Sequence, residues 1–239
     1  MLAALTTITI VYDNYPCDPR FKVGSGFSCV VRSPAGTVLF DTGAYGPTLL
    51  HNLEAAGVKP EQIDTLVLSH LDSDHAGGLF KFLEANRRVT VYLLRVVPDP
   101  FKDIVRLHGA KVISVTRTTP VLGNVYSLGE SGGWMKEQAL VVKTESGLVL
   151  IMGDAHPGIV ALVKKARRAV HGPVHLALGG FHLEGASEAG LRSIVGSFLR
   201  LGVARVAPCH SSGNLARRLF QSAYGEGFLE AGVGMELRL

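Results

Sequence analysis

The stretch Ser69-His70-Leu71-Asp72-Ser73-Asp74-His75-Ala76-Gly77-Gly78 follows the apolar run Leu66-Val67-Leu68 and leads into residues 76–85, whose apolar spacing predicts a helix. Four potential metal ligands, His70, Asp72, Asp74 and His75, fall within six residues. A strand-to-helix loop lets such side chains converge without stretching the backbone, and Gly77-Gly78 permits a tight turn. Imidazole and carboxylate together suit Zn, Fe or Mn. A helix N-cap at Asp74 is the plainer alternative. It accounts for one Asp but not for two His and a second Asp.

Outward from this loop, the pattern reads as alternating strands and helices. Residues 5–11 alternate as a strand, and 28–32 and 37–41 form a hairpin turning at Ser33-Pro34-Ala35-Gly36. A helix over 47–56 has Pro near its start and Gly57 at its end. Strands follow at 65–69 and 89–94, on either side of the helix at 76–85. The second half echoes the first: a hairpin of 138–144 and 148–152, a helix over 159–170, a strand at 174–178, a helix over 188–201, a strand at 204–207, a helix over 214–222 and a last strand near 234–239. Paired strands that then alternate with helices, twice over, imply an α/β protein with two helix-covered sheets, organised as one domain over residues 1–239.

Composition sets outer bounds. In 239 residues, 47% are hydrophobic and 18% charged, which excludes disorder. The formal charge of +4 and the short basic clusters Arg87-Arg88, Lys164-Lys165-Ala166-Arg167-Arg168 and Arg217-Arg218 fit a small anionic ligand better than a nucleic-acid groove. Cys17, Cys29 and Cys209 are odd in number and lack CxxC spacing, so a reducing cytoplasm is expected. The first seven residues lack the features of a signal peptide. No run approaches the roughly 18 apolar residues of a membrane span.

The loop resembles the H-x-H-x-D-H signature of the metallo-β-lactamase superfamily. Phe40-Asp41-Thr42-Gly43, the block Gly153-Asp154-Ala155-His156-Pro157-Gly158 and His210 after a late strand occur in the matching order. Gly26-Phe27-Ser28, Glu137-Gln138-Ala139-Leu140, Gly179-Gly180-Phe181-His182-Leu183 and Pro208-Cys209-His210-Ser211-Ser212-Gly213 resemble one branch, the metal-dependent hydrolases related to the archaeal 7,8-dihydropterin-6-methyl-4-(β-D-ribofuranosyl)aminobenzene-5′-phosphate synthase. The resemblance implies a four-layer αβ/βα sandwich with metal ligands in loops along one sheet edge.

By that resemblance His70 and Asp72 bind a first metal, Asp74 and His75 a second, Asp154 bridges and His210 completes the second site. His156 stands in for a first-site ligand whose usual motif is missing. Asp41 orients a ligand His or a nearby backbone turn. One or two divalent ions are implied, Zn first, with Mn, Fe or Mg as alternatives. Asp72 replaces the superfamily's second His and moves preference toward Mn or Fe; flavodiiron reductases of the superfamily carry a carboxylate there. The implied activity is hydrolysis or group transfer on a small anionic, phosphorylated or pterin-like substrate, by metal-activated water or Lewis-acid chemistry. Asp74 orients the nucleophile, and His182 either contacts substrate or supports the site from behind. Ser211 and Ser212 offer a phosphate-binding helix start or, alternatively, its N-cap. Phe27 and Trp134 either stack on a flat ring or pack ordinarily, and residues 129–133 form a loop that could cover the site. His51, His108, His171 and His175 have no motif support. Competing readings are a non-catalytic metal-binding or sensor protein, a diiron redox protein, and a nuclease.

Overall fold

A computed structural model describes residues 6–239. The first half runs β1 (Thr7–Tyr12), β2 (Ser28–Ser33), β3 (Gly36–Phe40), α1 (Gly46–Ala55), β4 (Thr65–Val67), α2 (Ser73–Ala76), α3 (Leu79–Ala85), β5 (Thr90–Leu94), α4 (Asp99–Leu107) and β6 (Lys111–Val115). The second runs β7 (Thr119–Leu122), β8 (Val125–Ser127), β9 (Leu140–Thr144), β10 (Gly147–Met152), α5 (Ile159–Val170), β11 (Val174–Gly180), α6 (Glu188–Arg200), β12 (Arg205–Cys209), α7 (Asn214–Tyr224) and β13 (Glu236–Arg238). The expected first strand began at Leu5, which lies outside the described residues.

One sheet has the order β13-β1-β2-β3-β4-β5-β6 and the other β12-β11-β10-β9-β8-β7. Each begins as an antiparallel meander and continues through parallel strands, β3 to β6 in one and β10 to β12 in the other. Parallel pairs need crossover connections, supplied here mostly by helices. β13 returns from the second half to pair antiparallel with β1, Thr7 opposite Arg238.

Alternation along the strands builds the layers. Ile8, Cys29, Val31, Val38 and Phe40 point toward Leu140, Val142, Val149, Ile151 and Leu178, forming a core between the sheets. The intervening Val11, Val30 and Leu39 face Leu49, Leu53 and Phe82 of the first helical layer. Leu148, Leu150 and Met152 face Leu162, Phe198 and Phe220 of the second. Burial on both faces explains why the central strands read as continuous apolar runs. The result is the expected four-layer αβ/βα arrangement.

The helix expected over 76–85 is interrupted. A β-carbon at Gly77 would strike the Ala44 carbonyl, and one at Gly78 the Thr42 carbonyl. The two glycines let α2 dock against residues 41–43, where Thr42 N–H reaches the His75 carbonyl at 2.7 Å and Gly78 N–H that of Gly43 at 3.0 Å. The stretch between β5 and β9 also holds α4, β6, β7 and β8, for which the sequence reading has no elements.

Candidate metal centre

Strands β3, β4, β10, β11 and β12 deliver Asp41, Ser69-His70, Asp154, His182 and His210 just beyond their C-terminal ends. Crevices outside the carboxyl ends of parallel strands are where α/β sheets bind ligands. Here the edges of the two sheets meet: the His70 and His156 rings lie 4.9 Å apart, and those of His75 and His210 5.0 Å.

Asp41 anchors the first half. Its backbone is left-handed, with φ 58°. Its buried carboxylate accepts from Ser69 N–H at 2.6 Å, Ser69 Oγ at 2.7 Å and His75 Nδ1 at 2.8 Å. The Ser69 hydroxyl has one proton and donates it to Asp41, so at 2.8 Å it accepts from Nδ1 of His70. Both histidines therefore carry a proton on Nδ1. Their buried Nε2 atoms have no hydrogen-bond partner.

Glu137 anchors the second half from beneath. It accepts from the backbone N–H of Asp154 and Ala155, both at 2.9 Å, from His156 N–H at 2.8 Å and from His156 Nδ1 at 3.1 Å. This clamp holds Ala155 at φ 48°. It leaves His156 Nε2 3.2 Å from Asp154 Oδ2. His182 Nδ1 lies 2.9 Å from the same oxygen. Ser211 Oγ donates to Asp154 Oδ1. His210 is set by β1: its N–H donates to Asp13 Oδ2 at 3.1 Å and its Nδ1 to Asn14 Oδ1 at 2.9 Å. Its Nε2 then lies 3.3 Å from Asp74 Oδ2 and 3.9 Å from Asp154 Oδ1.

These side chains form overlapping donor groups whose ligand atoms lie within 4.8 Å of one another: His70, His75 and Asp154; Asp74, His75 and His210; His70, Glu137 and His156; and Asp154, His156 and His182. The electrostatics suit a cation. Burial alone would lower the His75 pKa, yet Asp41, Asp74 and Asp154 push it up to about 9. The Glu137 hydrogen bond raises that of His156. Hydrogen bonding with His210 holds Asp74 well below the usual carboxylate range. Glu137 falls to about 2: burial would raise it, but His156, His70 and the amides outweigh burial. His70 is shifted down by burial, with His75 adding to the shift. Two unpartnered imidazole nitrogens among carboxylates fit a divalent ion, and a buried polar atom without a partner is otherwise costly.

The structure thus brings together His70, Asp74, His75, Asp154, His156, His182 and His210. Asp72 stands at their margin, its side chain 48% exposed and Oδ2 3.4 Å from His70 Nε2. It occupies the N-cap position of α2 without a capping hydrogen bond, which places Asp74 inside the first turn rather than at the cap. Ser211 joins the site through Asp154. Two expected substrate contacts are corrected. Phe27 is fully buried between the sheets, edge-on to Phe40 at 6.3 Å, so its ring cannot stack on a ligand. The Ser212 hydroxyl is buried and turned to the Cys209 carbonyl at 2.6 Å and the Phe181 N–H at 3.2 Å. It neither faces the site nor caps α7, whose N-cap position is Gly213. Sequence reasoning missed Asp13 and Asn14 and gave Glu137 no role. The available signal was position: Asp13-Asn14 directly follow an apolar strand, as Asp41 does.

The sequence matches the profile of the Metallo-beta-lactamase superfamily over residues 22–179. It is 28% identical over 241 residues, covering 80% of each chain, to the 7,8-dihydropterin-6-methyl-4-(beta-D-ribofuranosyl)-aminobenzene-5'-phosphate synthase of Methanocaldococcus jannaschii. Among solved structures, a metal-dependent hydrolase of the beta-lactamase superfamily superposes with a TM-score of 0.84 at 26% identity, over 98% of this chain and 99% of that one. The short form of human tRNase Z superposes with a TM-score of 0.62 at 14% identity, over 97% and 98%, a likeness of fold alone. With the profile spanning well over half of the residues, and the strand-end histidines and aspartates in the order its loop signature implies, the chain belongs to the metallo-β-lactamase superfamily.

Proposed function

We propose that the protein is a metal-dependent hydrolase or transferase acting on a small anionic substrate, phosphorylated or pterin-like. The observation that carries this reading is the pair of buried, unpartnered Nε2 atoms of His70 and His75 within one donor group with Asp154. In this proposal His70, His156 and Asp154, with Asp72 beside them, would hold one ion, and Asp74, His75 and His210 would hold a second, with Asp154 within reach of both groups. A divalent ion there supplies Lewis acidity and lowers the pKa of water toward 7.

The chain's own residues do the rest. Asp41, Ser69, Glu137 and Asn14 fix the orientation and protonation of the imidazoles, so each offers Nε2. Asp74, held ionised, orients a nucleophile by accepting a hydrogen bond from it. His182 is half-exposed and tethered to Asp154 through Nδ1, the placement of a group that passes a proton to a leaving oxygen. The substrate class rests on the likeness to the archaeal synthase and on the positive charge of the chain. The two halves act as one domain, supported by the core they share. A cytoplasmic location is supported by the three cysteines, all of them free. No helix among the described residues is long and apolar enough to cross a membrane.

The test is metal content by elemental mass spectrometry, on protein purified without chelators and reloaded separately with Zn, Mn and Fe, alongside turnover of phosphoesters. About two ions per chain are expected for a site of this kind, with Asp74→Ala or His75→Ala losing one ion and all turnover. Failure to bind any ion stoichiometrically would overturn the proposal. Full metal without turnover of any small anionic substrate would favour the non-catalytic alternative.

A further inference from the structure

Beside the donor cluster lies a cavity of about 220 Å3 whose lining includes His70, Asp72, Val97, Pro98, Trp134 and Lys136. Trp134, the only tryptophan of the chain, is 93% exposed. An isolated exposed indole gains nothing from folding, whereas an indole beside a polar centre offers a large flat face to a ligand. The loop that carries it is held at both ends. Ser131 and Glu137 exchange backbone hydrogen bonds at 2.9 and 3.0 Å, which closes residues 132–136 into a tight loop. Lys165 of α5 ties down its base, donating to the Glu130 carbonyl at 2.7 Å and to Ser131 Oγ at 2.9 Å. Glu137, at the other end, is the carboxylate that clamps His156. The loop's ends are therefore tied to the centre, and the indole is carried beside it.

The charge is equally specific. Lys136 donates to the Gly132 carbonyl at 2.6 Å, a neutral partner, and Lys165 likewise has only neutral partners. Among the described residues, neither ammonium forms an ion pair. Asp72, the acid in the lining, turns its Oδ2 to His70 Nε2 at 3.4 Å and makes no ion pair with Lys136. The cation at the cavity wall is thus the group left without a counter-charge. A volume of this size is enough for one ring system, with the rest of a larger ligand free to extend out of the open mouth.

We infer that this cavity is the seat for a planar aromatic or heteroaromatic ring of the substrate bearing an anionic group, with Trp134 stacking on the ring and Lys136 receiving the anion. The inference rests on the proposed function for the neighbouring centre and names the class of substrate it takes.

The test uses the full chain, metal-loaded and chelator-treated, with 2-naphthoate as probe and cyclohexanecarboxylate as its saturated counterpart. Binding is read by calorimetry and by the emission of Trp134. Naphthoate is expected to bind saturably and to shift that emission, with cyclohexanecarboxylate at least about tenfold weaker. Trp134→Ala should weaken naphthoate by roughly 5- to 150-fold, as loss of a stacking face does, and Trp134→Phe should restore most of the affinity. Lys136→Met should remove the preference for naphthoate over 2-naphthol. Absence of naphthoate binding, equal binding of the saturated acid, or an unmoved indole with naphthoate bound would overturn the inference. The two proposals fail separately. Ring binding by a chain that takes up no metal sinks the function and keeps the seat; stoichiometric metal without ring binding does the reverse.

Discussion

At Glu137 one buried carboxylate gathers three consecutive backbone amides and an imidazole. Hydrogen bonds to a charged acceptor contribute about 1.5–3 kcal/mol each, and a buried donor left bare costs the same order. The depression of its pKa from 4.5 to about 2 makes this a pH-dependent term. A lowered folded-state value contributes stability that is complete above the unfolded pKa and lost as pH falls through the folded one. Glu137→Gln is therefore expected to cost about 3 kcal/mol at pH 7, with the gap to the parent shrinking as pH drops toward 3. Denaturant midpoints at the two pH values check this; a constant gap would show that the charge is irrelevant. The same residue shows where sequence reading stops. His70, Asp72, Asp74 and His75 are legible because their convergence is local. Glu137, Asp13 and Asn14 meet their partners only through tertiary contact, His210 being 197 residues from Asp13, and no local spacing records that.

Among the elements, the central strands and their hairpins were legible because burial on both faces leaves an apolar run bounded by turn residues. Helix α5 appears over the residues its periodicity predicts. Strands β6 and β7 are half-exposed at sheet edges, so their sequences carry polar and apolar residues without the contrast that marks a buried strand. Helix α4 starts between two closely spaced prolines, Pro98 at its N-cap and Pro100 in its first turn, a pair that reads more readily as a turn than as a helix start. Packing between elements is close where β10 ends against β4. A β-carbon on Gly153 would fall on Ser69 Oγ and Asp41 Oδ2. Gly153→Ala should thus cost about 1–3 kcal/mol, the range for overpacking a filled interior, and loosen metal binding by disturbing the Asp41–Ser69 pair. Unfolding curves and metal titration measure both effects; unchanged metal affinity would separate the pair from the centre.

For the molecule as a whole, metal uptake and proton release are linked. Without a cation the His75 pKa sits near 9, so at pH 7 its ring carries two protons, and a ligand needs Nε2 bare. His156, also raised, adds to the effect. Metal affinity is expected to rise with pH up to about 9 and to fall steadily below it. Calorimetric titration of Zn at pH 7, in buffers of different ionisation enthalpy, should show protons released on binding; no release would mean these histidines are not ligands. Free ion at a thousandfold its Kd would add about 4 kcal/mol to unfolding stability.

His210 is held by Asp13, 197 residues before it, and by Asn14, and β13 closes back onto β1. The donor set therefore cannot be complete until both halves of the chain have come together, because Asp13 and Asn14 wait on a partner made far later in the chain. Capture of the ion that His210 would hold becomes a late event, and which ion is captured there depends on what is free around the folded protein. In refolding experiments this predicts that metal enters in the slowest phase, after both sheets have formed.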